Sequence, residues 1–262
     1  MTMLSQSFLN IYLTYECNLR CPWCDITLSD SGVLSRAAAS RLNNWIKNHP
    51  YTSYLFTGGE PLLYPDRLFE IANDIRVVQH GAWLTTFTNG TLLTEDIVKA
   101  FNRLNMHAVL SMRPYGYKSV NEALARHIRA LESYSFRLVC CNRQPFIKEA
   151  LDLQRIFPDA VVEVSHDFRE ETWGEEDISF WREQFERIRD SNLKIRLLIP
   201  YAREFCPQNT DVFTELTEAP VKKKCRVPIC DGYCGKRTKH KYFHEFEKLS
   251  KEIIDYGTRR FS

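Results

Sequence analysis

No stretch of the 262 residues approaches the ~20 consecutive apolar residues that a membrane-crossing helix needs. The opening MTMLSQSFLNIYLTY lacks the basic start and continuous apolar run of a secretion signal, so a cytoplasmic chain with no membrane partner is expected. Glycine and proline are scarce, at 10 and 11 residues, which excludes collagen-like and low-complexity classes. Internal repeats and long linkers are missing. So is an overall excess of one charge, since 35 Lys and Arg face 33 Asp and Glu. With 44% hydrophobic residues the chain can bury a sizeable core.

Cysteine, by contrast, is abundant. Nine cysteines without an export signal sit in a reducing compartment, where a disulfide framework does not persist, so metal binding is the leading explanation. They form three groups: Cys17, Cys21 and Cys24; Cys140 and Cys141; Cys206, Cys225, Cys230 and Cys234. The charge is also uneven along the chain. Residues 220–262 hold twelve Lys and Arg against five Asp and Glu, and residues 1–219 hold 23 against 28. A basic tail suits a phosphate-bearing or nucleic-acid partner, and equally suits the surroundings of an anionic metal-thiolate site.

Short aliphatic and aromatic runs predict strands at 8–15, 53–57, 82–88, 107–112, 136–141 and 160–165. Between them apolar residues recur at helical spacing, as in Leu68, Ile71, Ile75 and Val78, with start signals at Ser35, at Pro65 with Asp66, and at Thr94 with Glu95. Strict alternation calls for parallel strands with right-handed crossovers. The expected fold class is α/β, a partial (βα)6 TIM-like barrel over residues 1–192, with functional groups at the C-terminal ends of the strands. Residues 193–262 open on LKIRLLIPY and read as a small cysteine-rich C-terminal appendage.

CNLRCPWC, residues 17–24, follows the first strand with the spacing CxxxCxxC. Three thiolates on so short a loop do not complete a tetrahedral structural site, but they can hold three irons of a cubane and leave the fourth open to a ligand. TGGEPLL, residues 57–63, closes the second strand. Its glycines let backbone turn close to a ligand, and Glu60 offers an acceptor to a ligand ammonium. TNGTLL, residues 88–93, closes the third.

These three motifs, in this order and at these strand ends, resemble the radical S-adenosylmethionine (SAM) superfamily; Trp23 matches the aromatic residue often found before the last cysteine. The resemblance implies that Cys17, Cys21 and Cys24 bind a [4Fe-4S] cluster whose open iron chelates the amine and carboxylate of SAM. It implies that Gly58, Gly59 and Glu60 line that amine, that Ser111 and Arg113 reach the ribose or carboxylate, and that Asn89 contributes from the third strand. Asp25, where the family covers the adenine, is unremarkable. Substrate contacts are sought at the remaining strand ends, where Arg143 and His166 are the catalytic candidates. At least one of Cys140 and Cys141 is expected to pack as a small buried hydrophobe. The implied electron donor is reduced flavodoxin or ferredoxin.

Cys206, Cys225, Cys230 and Cys234 suffice for one further site with all-cysteine ligation. Zinc knuckles favour CxxC pairs, whereas the spacings here are CxxxxC and CxxxC, which points to a second [4Fe-4S] cluster ahead of zinc. The region resembles the auxiliary-cluster appendage called a twitch domain more than the longer SPASM version, whose seven cysteines this chain cannot supply outside the first motif. The resulting expectation is reductive cleavage of SAM to a 5′-deoxyadenosyl radical that takes a hydrogen atom from a small polar substrate of sugar, amino-acid or nucleoside type. Alternatives are modification of nucleotides or nucleic-acid bases, favoured by the basic tail with Tyr233, Tyr242 and Phe243 interleaved; ribosomal-peptide maturation, disfavoured by a first strand starting near residue 8; a glycyl-radical activase; and a non-catalytic iron-sulfur or zinc protein.

Overall fold

The computed structural model describes residues 8–21, 24, 32–111, 120–140, 143, 145–166, 175–191, 193–198, 210–215, 217–222, 248–249, 251–253, 255–256 and 259. Trp23, Asp25, Arg113, Cys141, the four C-terminal cysteines, Tyr233, Tyr242, Phe243 and the basic residues from Lys223 to Lys241 lie outside them.

Strands and helices alternate: β1 (Phe8–Thr14), α1 (Arg36–Asn48), β2 (Ser53–Gly58), α2 (Pro65–Val78), β3 (Trp83–Thr88), α3 (Glu95–Arg103), β4 (Met106–Ser111), α4 (Glu122–Arg129), β5 (Tyr134–Cys140), α5 (Ile147–Ile156), β6 (Val161–His166) and α6 (Glu175–Arg189). Three further strands follow, β7 (Ile195–Leu198), β8 (Thr210–Phe213) and β9 (Val221–Lys222). The six expected strands all form, each within two residues of its expected bounds. The expected start signals act as caps: Ser35 Oγ accepts the Ala38 N–H, Thr94 Oγ1 accepts the Ile97 N–H, and Pro65 occupies the first turn of α2. The helical spacing in α2 buries Leu68, Ile71, Ala72 and Ile75 on one face.

The chain divides into two units, one of residues Met1–Ser135 with Pro207–Lys223, the other of Phe136–Cys206 with Lys224–Ser262. In the first, the strand order is β4-β3-β2-β1-β8-β9. All neighbours are parallel except β8 and β9. Register sorts the side chains into two faces. Leu9, Tyr54, Leu84 and Met106 form a buried row across four strands, and the next residue on each strand, Asn10, Leu55, Thr85 and His107, points to the opposite face. Parallel strands are as a rule apolar on both faces. Here one face carries amide, hydroxyl and imidazole groups beside Leu55.

The LKIRLLIPY run contributes β7, which pairs parallel with β6, Glu163 opposite Arg196. In this second unit Phe136, Leu138, Val162, Val164, Ile195 and Leu197 are buried on one face, and the rings of Phe136 and Phe157 approach to 4.9 Å. The other face holds Arg137 and Arg196 at 2.7 and 3.8 Å from the Glu163 carboxylate. The fold class is the expected α/β, built on parallel strands that do not close into a full barrel among the described residues. No helix among those residues is long and apolar enough to cross a membrane.

Candidate active site

The site is built where the chain leaves β1 and β2. Their parallel pairing continues past both strands as the Gly59 N–H donates to the Thr14 carbonyl at 2.8 Å and the Glu60 N–H to the Glu16 carbonyl at 2.8 Å. Two backbones this close leave no room for side chains. A Cβ on Gly58, whose φ is +125°, would lie 2.1 Å from the Thr14 oxygen, and one on Gly59 would lie 1.9 Å from that of Glu16. The sequence suggests glycines that admit a ligand; the structure gives them a second duty, admitting the strand that carries the cysteines.

Glu60 is 1% exposed. Its Oε1 accepts the Leu62 N–H at 2.9 Å and the Thr88 hydroxyl at 2.7 Å, and its Oε2 accepts the Asn89 N–H at 2.7 Å. Burial pushes its carboxyl above the ordinary range while these three donors pull it back. A carboxylate offers about four acceptor positions, and donors among the described residues fill three of them.

Between β1 and α1 lies the cysteine loop. Its exit is sewn to its entrance: Thr14 Oγ1 donates to the Gly32 carbonyl at 2.7 Å, and Glu16 Oε1 accepts the Gly32 N–H at 2.7 Å while its Oε2 accepts the Tyr64 hydroxyl at 2.6 Å. Within the loop the Cys24 N–H donates to the Cys21 carbonyl, and the Cys17 sulfur accepts the Leu19 N–H at 3.4 Å. The three thiols are half-buried and none is in a disulfide. Burial raises the Cys17 thiol, and burial with the neighbouring Cys17 and Cys24 pushes Cys21 up to about 11. Cys17 and Cys21, held protonated by burial and by neighbouring thiols, suit a positively charged ligand, because a metal displaces those protons and neutralises the thiolates. Among the described residues no three acidic, cysteine or histidine side chains converge as a single ion requires. A cubane fits better, since it takes each thiolate on a separate iron.

Asn89 leaves β3 beside Glu60, with its side chain committed to Asn18 and Thr91. Ser111 ends β4, half-buried, on the same face as His107. Cys17, Cys21, Cys24, Gly58, Gly59, Glu60, Asn89 and Ser111 thus all belong to the first unit, at strand ends of one polarity. Arg143 and His166 belong to the second. Arg143, at φ +53°, sets its guanidinium 2.9 Å from Asp177 and 3.1 Å from Glu176 in the first turn of α6. His166 is the last residue of β6. Cys140 is buried, as expected for one of the adjacent pair. Thr14, Glu16, Asn18 and Tyr64 carry no sequence signal, because nothing in their spacing reveals that they fasten the loop.

Residues 11–139 match the model of the radical SAM superfamily. Residues 11–139 are thus similar to a radical SAM domain. That stretch contains every motif assembled at the ends of β1 to β4. Among curated relatives, 7-carboxy-7-deazaguanine synthase of Aquifex aeolicus is 36% identical over 85 residues, and its counterpart from Methanospirillum hungatei 31% identical over 81. The matching stretches span about a third of this chain and of each relative. Among solved structures, anSMEcpe with bound AdoMet superposes with a TM-score of 0.56 at 17% identity, covering 72% of this chain and 63% of that one. Streptococcus suis SuiB bound to precursor peptide SuiA gives 0.61 at 15%, covering 97% and 66%. At these identities the two structures show likeness of fold alone.

Proposed function

We propose that this radical SAM protein cleaves SAM reductively at the Cys17, Cys21 and Cys24 loop and abstracts a hydrogen atom from a small polar substrate of nucleoside or purine-like type. The observation that carries the reading is the backbone ladder joining the CxxxCxxC loop to the Gly-Gly-Glu turn, which sets three thiols beside a buried carboxylate with one acceptor position in hand. The relatives whose printed names describe synthesis of a 7-deazaguanine favour the nucleoside class within the broader set of sugars, amino acids and nucleosides. Likeness to a peptide-bound structure at 15% identity reflects the fold and does not favour a peptide.

Cys17, Cys21 and Cys24 hold the [4Fe-4S] cluster. Bound there, cluster and SAM supply one-electron cleavage of the sulfonium bond, yielding methionine and a 5′-deoxyadenosyl radical. Glu60 takes the methionyl ammonium on its remaining acceptor position, beside the backbone of Gly58 and Gly59. Ser111 and Arg113 serve the ribose or the carboxylate, a guanidinium being suited to the latter. Arg143 and His166 contact the substrate. Reduced flavodoxin or ferredoxin delivers the electron.

Cys206, Cys225, Cys230 and Cys234 hold a second [4Fe-4S] cluster in this reading. It is supported by the antiparallel pairing of Asp211 with Lys222, which ties the chain five residues after Cys206 to the chain three residues before Cys225. Reconstituted anaerobically, the protein should give an EPR-active reduced cluster and form 5′-deoxyadenosine with dithionite. Replacing Cys17, Cys21 and Cys24 by Ala should abolish that product; a triple variant that still makes it refutes the assignment.

A further inference from the structure

Asn18 lies between two of the cysteines and Asn89 directly after β3, 71 residues away, yet their side chains meet. Asn89 Nδ2 donates to Asn18 Oδ1 at 2.8 Å, Asn18 Nδ2 donates to Thr91 Oγ1 at 2.8 Å, and that hydroxyl donates back to Asn89 Oδ1 at 2.6 Å. The Thr91 N–H also donates to Asn89 Oδ1, at 3.0 Å. Three side chains thus close a ring. The backbone completes a second one, because the Asn89 N–H is held by Glu60, and the Glu60 N–H by the Glu16 carbonyl two residues before Asn18.

The ring is exposed to solvent, where a hydrogen bond adds little to folding because water competes for each partner. What an exposed ring with its amides engaged can do is fix where one loop stands against another. Its two ends are the cysteine loop and, through Glu60, the Gly-Gly-Glu turn, the two halves of the cofactor site. We infer that Asn18, Asn89 and Thr91 are positioning residues, a clamp that sets the cluster loop relative to the turn that receives the SAM ammonium. The inference rests on the radical SAM reading of that loop and reassigns Asn89 from touching the cofactor to placing the residues that do. A clamp of this kind acts as the outer partners of metal ligands act, and their loss typically costs about tenfold or more in function.

The test uses the full-length reconstituted enzyme and four measurements: iron content, melting temperature, the change in the reduced-cluster EPR spectrum on adding SAM, and the rate of 5′-deoxyadenosine formation. Wild-type protein that fails to cleave SAM sinks the underlying reading and not the clamp. Given active wild type, N18A and N89A should keep their iron and melting temperature, lose about tenfold in cleavage and show a weakened SAM-dependent EPR change. The double Ala variant should be no worse than N18A, because removing the Asn18 side chain already breaks both bonds that cross between the loops. N18D and N89D should each recover only part of the loss, since the Asn–Asp contact can be kept, directly in N18D and through a flipped Asn18 in N89D, while the single Thr91 hydroxyl proton then serves one of its two neighbours. N18D/N89D should fail, since two carboxylates would then face each other. Additive losses in the double Ala variant, wild-type cleavage in N18A and N89A, or loss of iron in both would overturn the clamp.

Discussion

An added methyl at Gly59 would sit 1.9 Å from a backbone oxygen that cannot move without dragging the cysteine loop. Gly59→Ala is therefore expected to cost ~3 kcal/mol of stability, typical of overpacking against an unyielding neighbour, and a urea titration should show it as a lower midpoint. Glu60→Gln is nearly isosteric and should still cost ~2 kcal/mol, because an amide nitrogen would replace an acceptor facing a buried N–H. The pH dependence has a definite sign. Burial holds the Glu60 carboxyl above its ordinary 4.5, so its contribution to stability is full below that value and is lost as pH rises through the raised one. The margin of wild type over Glu60→Gln should accordingly narrow as pH is raised from 4.5 in parallel melts. The sequence shows that residues 58–60 matter but not how. A Gly-Gly-Glu turn at a strand end invites a ligand, whereas its contact with the backbone of residues 14–16 depends on which strand lies beside it, and that is a property of the sheet.

At the scale of elements, local chemistry made most of the architecture readable. Alternating Leu9, Ile11 and Leu13 mark a strand with one buried face, and Ser35 and Thr94 mark helix starts because their hydroxyls accept the orphan N–H groups there. The segment after residue 192 was less legible. β7 and β8 are four residues each and do not alternate long enough to announce a strand, so only their pairing with β6 and β1 reveals them. Nor does any pattern expose Arg76, whose guanidinium on α2 donates to the carbonyls of His80, Ala82, Leu104 and Asn105 and so ties the end of α2 to the end of α3. Asn105, at φ +48°, is held in that turn by the contact. Arg76→Ala should destabilise by about 2–3 kcal/mol, and Arg76→Lys should recover little, since a point ammonium does not reproduce a planar fork of donors. Differential scanning calorimetry of the two variants decides it.

For the molecule as a whole, the proposal of two clusters predicts about eight irons per chain, falling to about four when Cys17, Cys21 and Cys24 are replaced. Elemental analysis that finds zinc beside about four irons in the wild type would instead make the C-terminal set a structural staple. The basic tail makes a second whole-molecule expectation. If the substrate bears phosphate, its binding should weaken steeply with salt, because each neutralised phosphate releases counterions. Reversing Lys222, Lys223 and Lys224 should then lower substrate affinity and flatten the salt dependence, with SAM cleavage in the absence of substrate serving as the control. Affinity unaltered at low salt would leave the tail as a solvated face.

The placement of β8 against β1 also has a consequence in time. The strand that carries the cysteine loop has its second neighbour, residues 210–213, roughly two hundred positions later, and the Ser35 that caps α1 waits as long for Glu215, which accepts both its N–H and its hydroxyl. Tyr51 waits for Asp211. At ~5–20 residues per second, the ribosome needs on the order of 10–40 s between these partners. Throughout that interval the nascent loop already presents Cys17, Cys21 and Cys24, while the strand behind it has one edge unpaired. Iron delivered early would meet ligands on an unfinished scaffold, so loading of the first cluster is expected to follow release of the chain.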